Sequence, residues 1–359
     1  MRITYAIAAA ALIASTLAVS AQQRPAGLFP PLETYLESLR QQAGIPGMSV
    51  AIVQDGQVAW ERGFGYSNAE SRIRATPDTP YLVGGVSQTL AAALLLQCVE
   101  QRRLDLDQPA RTYGVSLPEP AATMRHILSH ASVEVPGDAF LYSPERYAQL
   151  TLAMEFCAPQ PYRKSVAHRL LNRLAMKDSV PGTDMQSADA DIESGLFDEA
   201  DIDKYRRVLQ RLAIGYRVDS RGRAERTEVA IEPLTAGTGL VSTVRDLASF
   251  DAAIDSEILL LNETLAEAWR PVTSRAGASL PTGLGWFVQT YRGERVVWQF
   301  GAVANAYSSL VIKLPARQLT FILLANSEGL SAPFQLDKGD VSRSVFATLL
   351  LRIATEGLH

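Results

Sequence analysis

Hydrophobic and polar positions change their period along this chain, and the changes outline its architecture. Leu32–Gln42 reads as an amphipathic helix that ends near Gly44, and Ile45-Pro46-Gly47 breaks it. Met48–Val53 has the character of a strand. Gln54-Asp55-Gly56-Gln57 then supplies an Asp-Gly hairpin turn, and Val58–Arg62 returns toward Gly63-Phe64-Gly65-Tyr66. From residue 86 to about 235 the pattern is mostly helical with polar breaks. The far end turns back to strands at Gly285–Tyr291, Val296–Phe300, Ser308–Ile312 and Leu319–Leu324, and Val341–Glu356 predicts a closing helix. Strands at both ends with helices between them predict an α+β fold. An antiparallel sheet assembled from residues of about 22–85 and 236–359 would be flanked by helices, and about 86–235 would form an inserted, mainly helical lobe.

Composition narrows the partners. The 359 residues are 47% hydrophobic and 20% charged, with a net charge of −4 and no basic runs. That excludes nucleic acid or an anionic membrane surface as the main partner. Arg2, the apolar stretch Ile3–Val19 and the small-residue site Val19-Ser20-Ala21 read as a secretory signal peptide over residues 1–21. The expected location is periplasmic or secreted, from a bacterial cell, with no transmembrane anchor once the signal is cleaved. Cys98 and Cys157 read as buried free thiols on helices, with pairing in an oxidising compartment as the alternative. The four histidines lack metal-site spacing. His126 and His130, at i and i+4, read as residues that pack or hydrogen-bond in a helix. Neither a metal nor a cofactor is expected.

The chemistry centres on Tyr81-Leu82-Val83-Gly84-Gly85-Val86-Ser87-Gln88-Thr89-Leu90. This segment follows Pro77-Asp78-Thr79-Pro80 and runs into the helical Ala91–Leu96. It resembles the nucleophile segment of the serine β-lactamase and penicillin-binding-protein superfamily, in its class C β-lactamase and esterase branch. A Ser-x-x-Lys pair in such a segment sets nucleophile and base one helical turn apart on one face. The resemblance places the nucleophile at Gly85 and the base at Gln88. Glycine has no attacking group, and an amide does not titrate near neutral pH. Lys164, Lys177, Lys204, Lys313 and Lys338 are the only lysines, and none follows a serine by three positions. Ser87 lies roughly 200° around the helix from position 85 and should face away from the site.

Other blocks carry the same resemblance from about Leu32 to Ala354. They include Leu104–Pro109, Met124–Ser132, Leu174–Ser179, Ala236–Leu247, Gly283–Trp286 and Leu324-Ala325-Asn326. The family's Tyr-x-Asn motif falls on Tyr142-Ser143-Pro144, so the tyrosine is kept and a proline replaces the asparagine amide. Its third motif, Lys-Thr-Gly or His-x-Gly, falls on Gln299-Phe300-Gly301, which keeps the glycine and lacks the basic residue. The resemblance also implies an oxyanion hole built from backbone N–H groups at Gly85 and near Ala302. The expected protein is a β-lactamase/transpeptidase-like fold without intact catalytic residues, an exported pseudoenzyme. It would bind a small carbonyl- or carboxylate-containing ligand or a protein partner in the former cleft, through Gly85, Gln88, Tyr142, Gln299 and Ala302. Loss of the serine and lysine side chains should enlarge the pocket. The alternative is a serine hydrolase (esterase, β-lactamase or peptidase-like) with a non-standard nucleophile such as Ser87 or Ser132.

Overall fold

The computed structural model describes residues 29–187, 191 and 194–356, so the signal segment read at residues 1–21 lies outside the described residues. β1 (Gly47–Gln54) and β2 (Gln57–Asn68) are joined by Asp55 and Gly56 alone. Both have positive φ, 53° and 70°, which is what a two-residue type I′ turn requires. β3 (Ile73–Arg74) pairs with β2. The middle of the chain holds β4 (Tyr81–Leu82), β5 (Val180–Pro181), β6 (Tyr216–Val218), β7 (Ala224–Arg226) and β8 (Leu240–Ser242). At the far end come β9 (Phe287–Tyr291), β10 (Glu294–Val303), β11 (Tyr307–Leu314) and β12 (Leu319–Ala325).

The main sheet has seven strands in the order β3-β2-β1-β12-β11-β10-β9, and its pairings are antiparallel. The two ends of the chain meet where β1 pairs with β12, with Val50 opposite Leu323. Strand alternation gives the sheet two apolar faces. Val50, Ile52, Trp298, Phe321 and Leu323 face a core that includes Leu36 and Phe346, from helices Phe29–Gln42 and Val345–Glu356. Ala51, Val53, Val297, Ile322 and Leu324 face the other core, with Leu94 and Leu247 from helices Ser87–Glu100 and Val244–Asp255.

The middle of the chain is less purely helical than its pattern predicts. β4, β8 and β5 form a small sheet in that order, and β6 and β7 form a hairpin. The closing helix begins at Val345 rather than Val341, because a 3-10 turn at Val341–Arg343 and an extended Ser344 come first. The two cysteines are not free thiols. Cys98 and Cys157 form a disulfide with their Cα atoms 6.3 Å apart. The helices that carry them, Ser87–Glu100 and Leu150–Cys157, share one core and bring the sulfurs within bonding reach. Among the described residues no helix is long and apolar enough to cross a membrane.

Between β12 and the closing helix, residues 328–343 fold into short 3-10 turns. This excursion returns to the end of the sheet where β10 passes the start of helix Ser87–Glu100.

Candidate functional site

Two close backbone approaches build the site. Helix Ser87–Glu100 is buried from Ser87 through Cys98 and apolar on nearly every side, so packing around it fixes its position. A 3-10 turn at Gly84–Val86 leads into it. β10 runs against this turn so tightly that a Cβ at Gly301 would lie 2.0 Å from the Val83 carbonyl oxygen. Only glycine permits that approach.

Gly85 is enclosed as well. A Cβ placed on it would lie 2.4 Å from the Tyr142 hydroxyl and 2.6 Å from the Phe300 carbonyl oxygen. The expected enlargement of the pocket is therefore not found. The Tyr142 phenol and the β10 backbone occupy the space beside Gly85 that a side chain would need.

Behind Gly85 lies a closed network of neutral groups. Gln88 is fully buried. Its Nε2 donates to Tyr142 Oη at 3.2 Å. Its Oε1 lies 3.1 Å from His130 Nε2 and accepts from Gln299 Nε2 at 3.4 Å. Gln299 Nε2 also donates to the Gly285 carbonyl at 3.3 Å. His130 Nδ1 accepts from the Ser143 N–H at 3.2 Å. That bond assigns the ring proton to Nε2, which then donates to Gln88.

Burial pushes the His130 imidazole down to about 3. Burial also raises the Tyr142 phenol. The Glu145 and Asp337 carboxylates raise it further, and the Gln88 hydrogen bond opposes them. Every member of the network is therefore neutral at neutral pH, and none is poised to take a proton from a nucleophile. Because Tyr142 Oη accepts from Gln88, its own O–H remains able to donate toward the cleft.

Pro144 has a local structural cause. Ser143 caps helix Pro144–Ala148 by accepting the Arg146 N–H, and proline at the first helical position has no amide hydrogen to satisfy. The cleft in front of these groups has a volume of about 380 Å³. Gly85, Tyr142, Pro144, Phe300 and Ala302 line one side. The 328–343 excursion supplies Ser331 and Asp337 to the wall.

Gly85, Tyr142, Pro144 and Ala302 thus meet at one cleft, with Gln88 and Gln299 behind them. Ser87 and Ser132 do not line it. Ser87 Oγ accepts the Leu240 N–H at 3.3 Å, and the Ser132 carbonyl accepts from Arg146. Among the described residues no group of three or more His, Cys, Asp or Glu side chains could hold a metal ion.

A family model described as Beta-lactamase matches residues 32–343. The chain belongs to the Beta-lactamase family. The mouse serine beta-lactamase-like protein LACTB, mitochondrial, is 31% identical over 104 residues, which is 27% of this chain and 19% of that protein. Protein flp of Staphylococcus aureus strain MW2 is 24% identical over 183 residues, covering 41% of this chain and 37% of that protein. The chain therefore matches well under half the length of these curated relatives. Among solved structures, the octameric penicillin-binding protein homologue from Pyrococcus abyssi superposes with a TM-score of 0.72 at 22% identity, covering 90% of this chain and 77% of that one. The crystal structure of SurE superposes with a TM-score of 0.66 at 23% identity, covering 84% of this chain and 72% of that one. At these identities the likeness is one of fold, and the fold is the β-lactamase/transpeptidase-like one.

Two parts of this Beta-lactamase family site are hidden from sequence reasoning. The spacing of His126 and His130 suggests one helix face, but the helix ends at Leu128. His126 then completes a capping box with Thr123, while His130, at φ 53°, turns into the site. Ring centroids of Tyr142 and Tyr147 lie 4.6 and 5.1 Å from it. Ser331 and Asp337 belong to the excursion after β12, whose sequence carries no periodic signal.

Proposed function

We propose that this protein is an exported, catalytically silent member of the Beta-lactamase family that holds a small carbonyl-bearing ligand in the cleft beside Gly85. One observation carries the reading. The residue at the nucleophile position has no side chain, and the hydroxyl of Tyr142 fills the place where one would start. The residue at the base position is an amide held between three neutral partners. What remains suits holding a ligand: a phenol O–H and the backbone of Gly85 and Ala302 along one wall. A concave cleft of about 380 Å³ fits a small molecule better than a flat protein surface does. The disulfide supports export, since such bonds persist in oxidising compartments. So does the signal-like segment at residues 1–21.

The test is covalent labelling. Purified protein incubated with a fluorophosphonate and with a fluorescent penicillin should carry no stoichiometric adduct by intact-mass spectrometry. An adduct mapped to Ser87, Ser132 or any other single serine overturns the reading in favour of a hydrolase with a non-standard nucleophile.

A further inference from the structure

The walls of the cleft carry information about ligand charge. Among the described residues no lysine, arginine or histidine lines it, and Asp337 is its one charged lining residue. Asp337 is half-buried, and its Oδ2 lies 3.2 Å from Nζ of the more exposed Lys338, which is outside the cleft. A pair this exposed is largely screened by water. Glu145 follows the wall residue Pro144 and accepts from Ser143 Oγ at 3.2 Å. The nearby guanidinium groups are paired and stand outside the lining, Arg343 touching it only through the wall residue Gln335. Arg146 is paired with Glu119. Arg343 donates to Gln335 Oε1 at 2.8 Å and lines a separate groove between helices Phe29–Gln42 and Val345–Glu356.

A second observation points to a ligand at the same wall. Ser331 is 1% exposed and lines the cleft, yet its Oγ is buried without a hydrogen-bond partner among the described residues. A buried hydroxyl left unpaired is costly, and rotation of the Ser331 side chain about Cα–Cβ to turn Oγ into the cleft would let a polar ligand atom satisfy it.

We infer that the cleft selects ligands that carry an ammonium group beside the carbonyl, and that it rejects carboxylates. The Asp337 carboxylate accepts from the ammonium, and the Tyr142 phenol and Ser331 hydroxyl meet the ligand's other polar atoms. This rests on the cleft being a ligand site, as proposed above. It removes carboxylate-bearing ligands from the range expected of the sequence.

Three small alanine derivatives separate the cases: alaninamide (ammonium), N-acetylalaninamide (neutral) and N-acetylalanine (carboxylate). Each is titrated at neutral pH into the full-length protein and followed by protein-observed NMR. Alaninamide should bind about threefold or more tightly than N-acetylalanine at low ionic strength, with the neutral amide between them. Added salt should narrow the gap. Asp337→Asn should bring the three affinities to within about twofold of one another, and Ser331→Ala should weaken all three by a similar factor. N-acetylalanine binding as tightly as alaninamide overturns the charge inference while the cleft stands as a ligand site. So does an unchanged ratio in Asp337→Asn. Saturable shifts from none of the three probes overturn the ligand-site reading, and the charge inference falls with it.

Discussion

At Gly85 the absence of a side chain is matched by the position of its neighbours. The Tyr142 hydroxyl and the Phe300 carbonyl both lie closer to the missing Cβ than any real Cβ tolerates. Gly85→Ser therefore meets an occupied space, and overpacking of this kind costs about 1–3 kcal/mol. Urea denaturation should show that loss. Adding Tyr142→Phe should recover part of it by removing one of the two obstacles, while the Phe300 carbonyl remains. A fully additive double variant would mean that the phenol is not what fills the space. His130 makes a separate prediction. Its folded value of about 3 lies below the ordinary imidazole value of 6.5, because burial disfavours the cation. The unfolded chain thus binds more protons between those values. The contribution to stability is complete above pH 6.5 and is lost as pH falls toward 3, by an amount on the order of 3–5 kcal/mol. Asp246 works in the opposite sense, because burial raises it to about 6. Comparing the protein with His130→Asn isolates the imidazole. Between pH 6.5 and 4 the urea midpoint of the original should fall more steeply than that of the variant, and parallel curves would refute the assignment. Gly85, Gln88, Tyr142 and Gln299 were legible as candidate positions because each sits at a fixed place in a recognisable motif, and the structure brings them together, Gly85 and Tyr142 at the cleft and the two glutamines behind it. His130 was not, since a helix end between two histidines has no strong marker here.

Between elements, the buried lysine of β11 ties the sheet to the helix layer. Lys313 Nζ donates to Asp251 Oδ1 at 2.9 Å, Asp255 Oδ2 at 2.7 Å and Thr320 Oγ1 at 3.0 Å. Both aspartates belong to helix Val244–Asp255, and Thr320 to the neighbouring strand β12. Burial pushes the Asp251 carboxyl up, and the lysine pulls it back. Lys313→Met leaves two carboxylates facing a sheet without a counter-charge, a change that typically costs about 3–5 kcal/mol. Thermal and urea unfolding should show that loss, and Lys313→Met/Asp251→Asn/Asp255→Asn should regain most of it. A triple variant as unstable as the single would mean that packing, and not charge, is what the lysine provides. Lys313 could not be singled out from its surroundings in sequence, where a lysine between apolar strand residues is equally compatible with an edge facing water. The first hairpin was legible for the opposite reason. Asp55-Gly56 is a local signal whose backbone demands hold wherever the hairpin packs.

Across the whole molecule, the sheet closes where β1 meets β12, residues more than 250 positions apart. Strand patterns at both ends of the chain predicted such a sheet, because period-2 apolar alternation and tight turns are written into neighbouring residues. The same locality made Gly85 and Gln88 readable as the positions where the family resemblance places a nucleophile and a base. Three features depended on the assembled structure. The disulfide required helices Ser87–Glu100 and Leu150–Cys157 to pack side by side. The filling of the space beside Gly85 required Tyr142, 57 positions downstream, to settle against the turn before helix Ser87–Glu100. The acidic wall required an irregular excursion after β12 to fold back over the cleft. Local pattern specifies which residues form an element and which face is apolar. Which side chain occupies a given few ångströms of space is decided by long-range packing, where all the elements compete for the same volume.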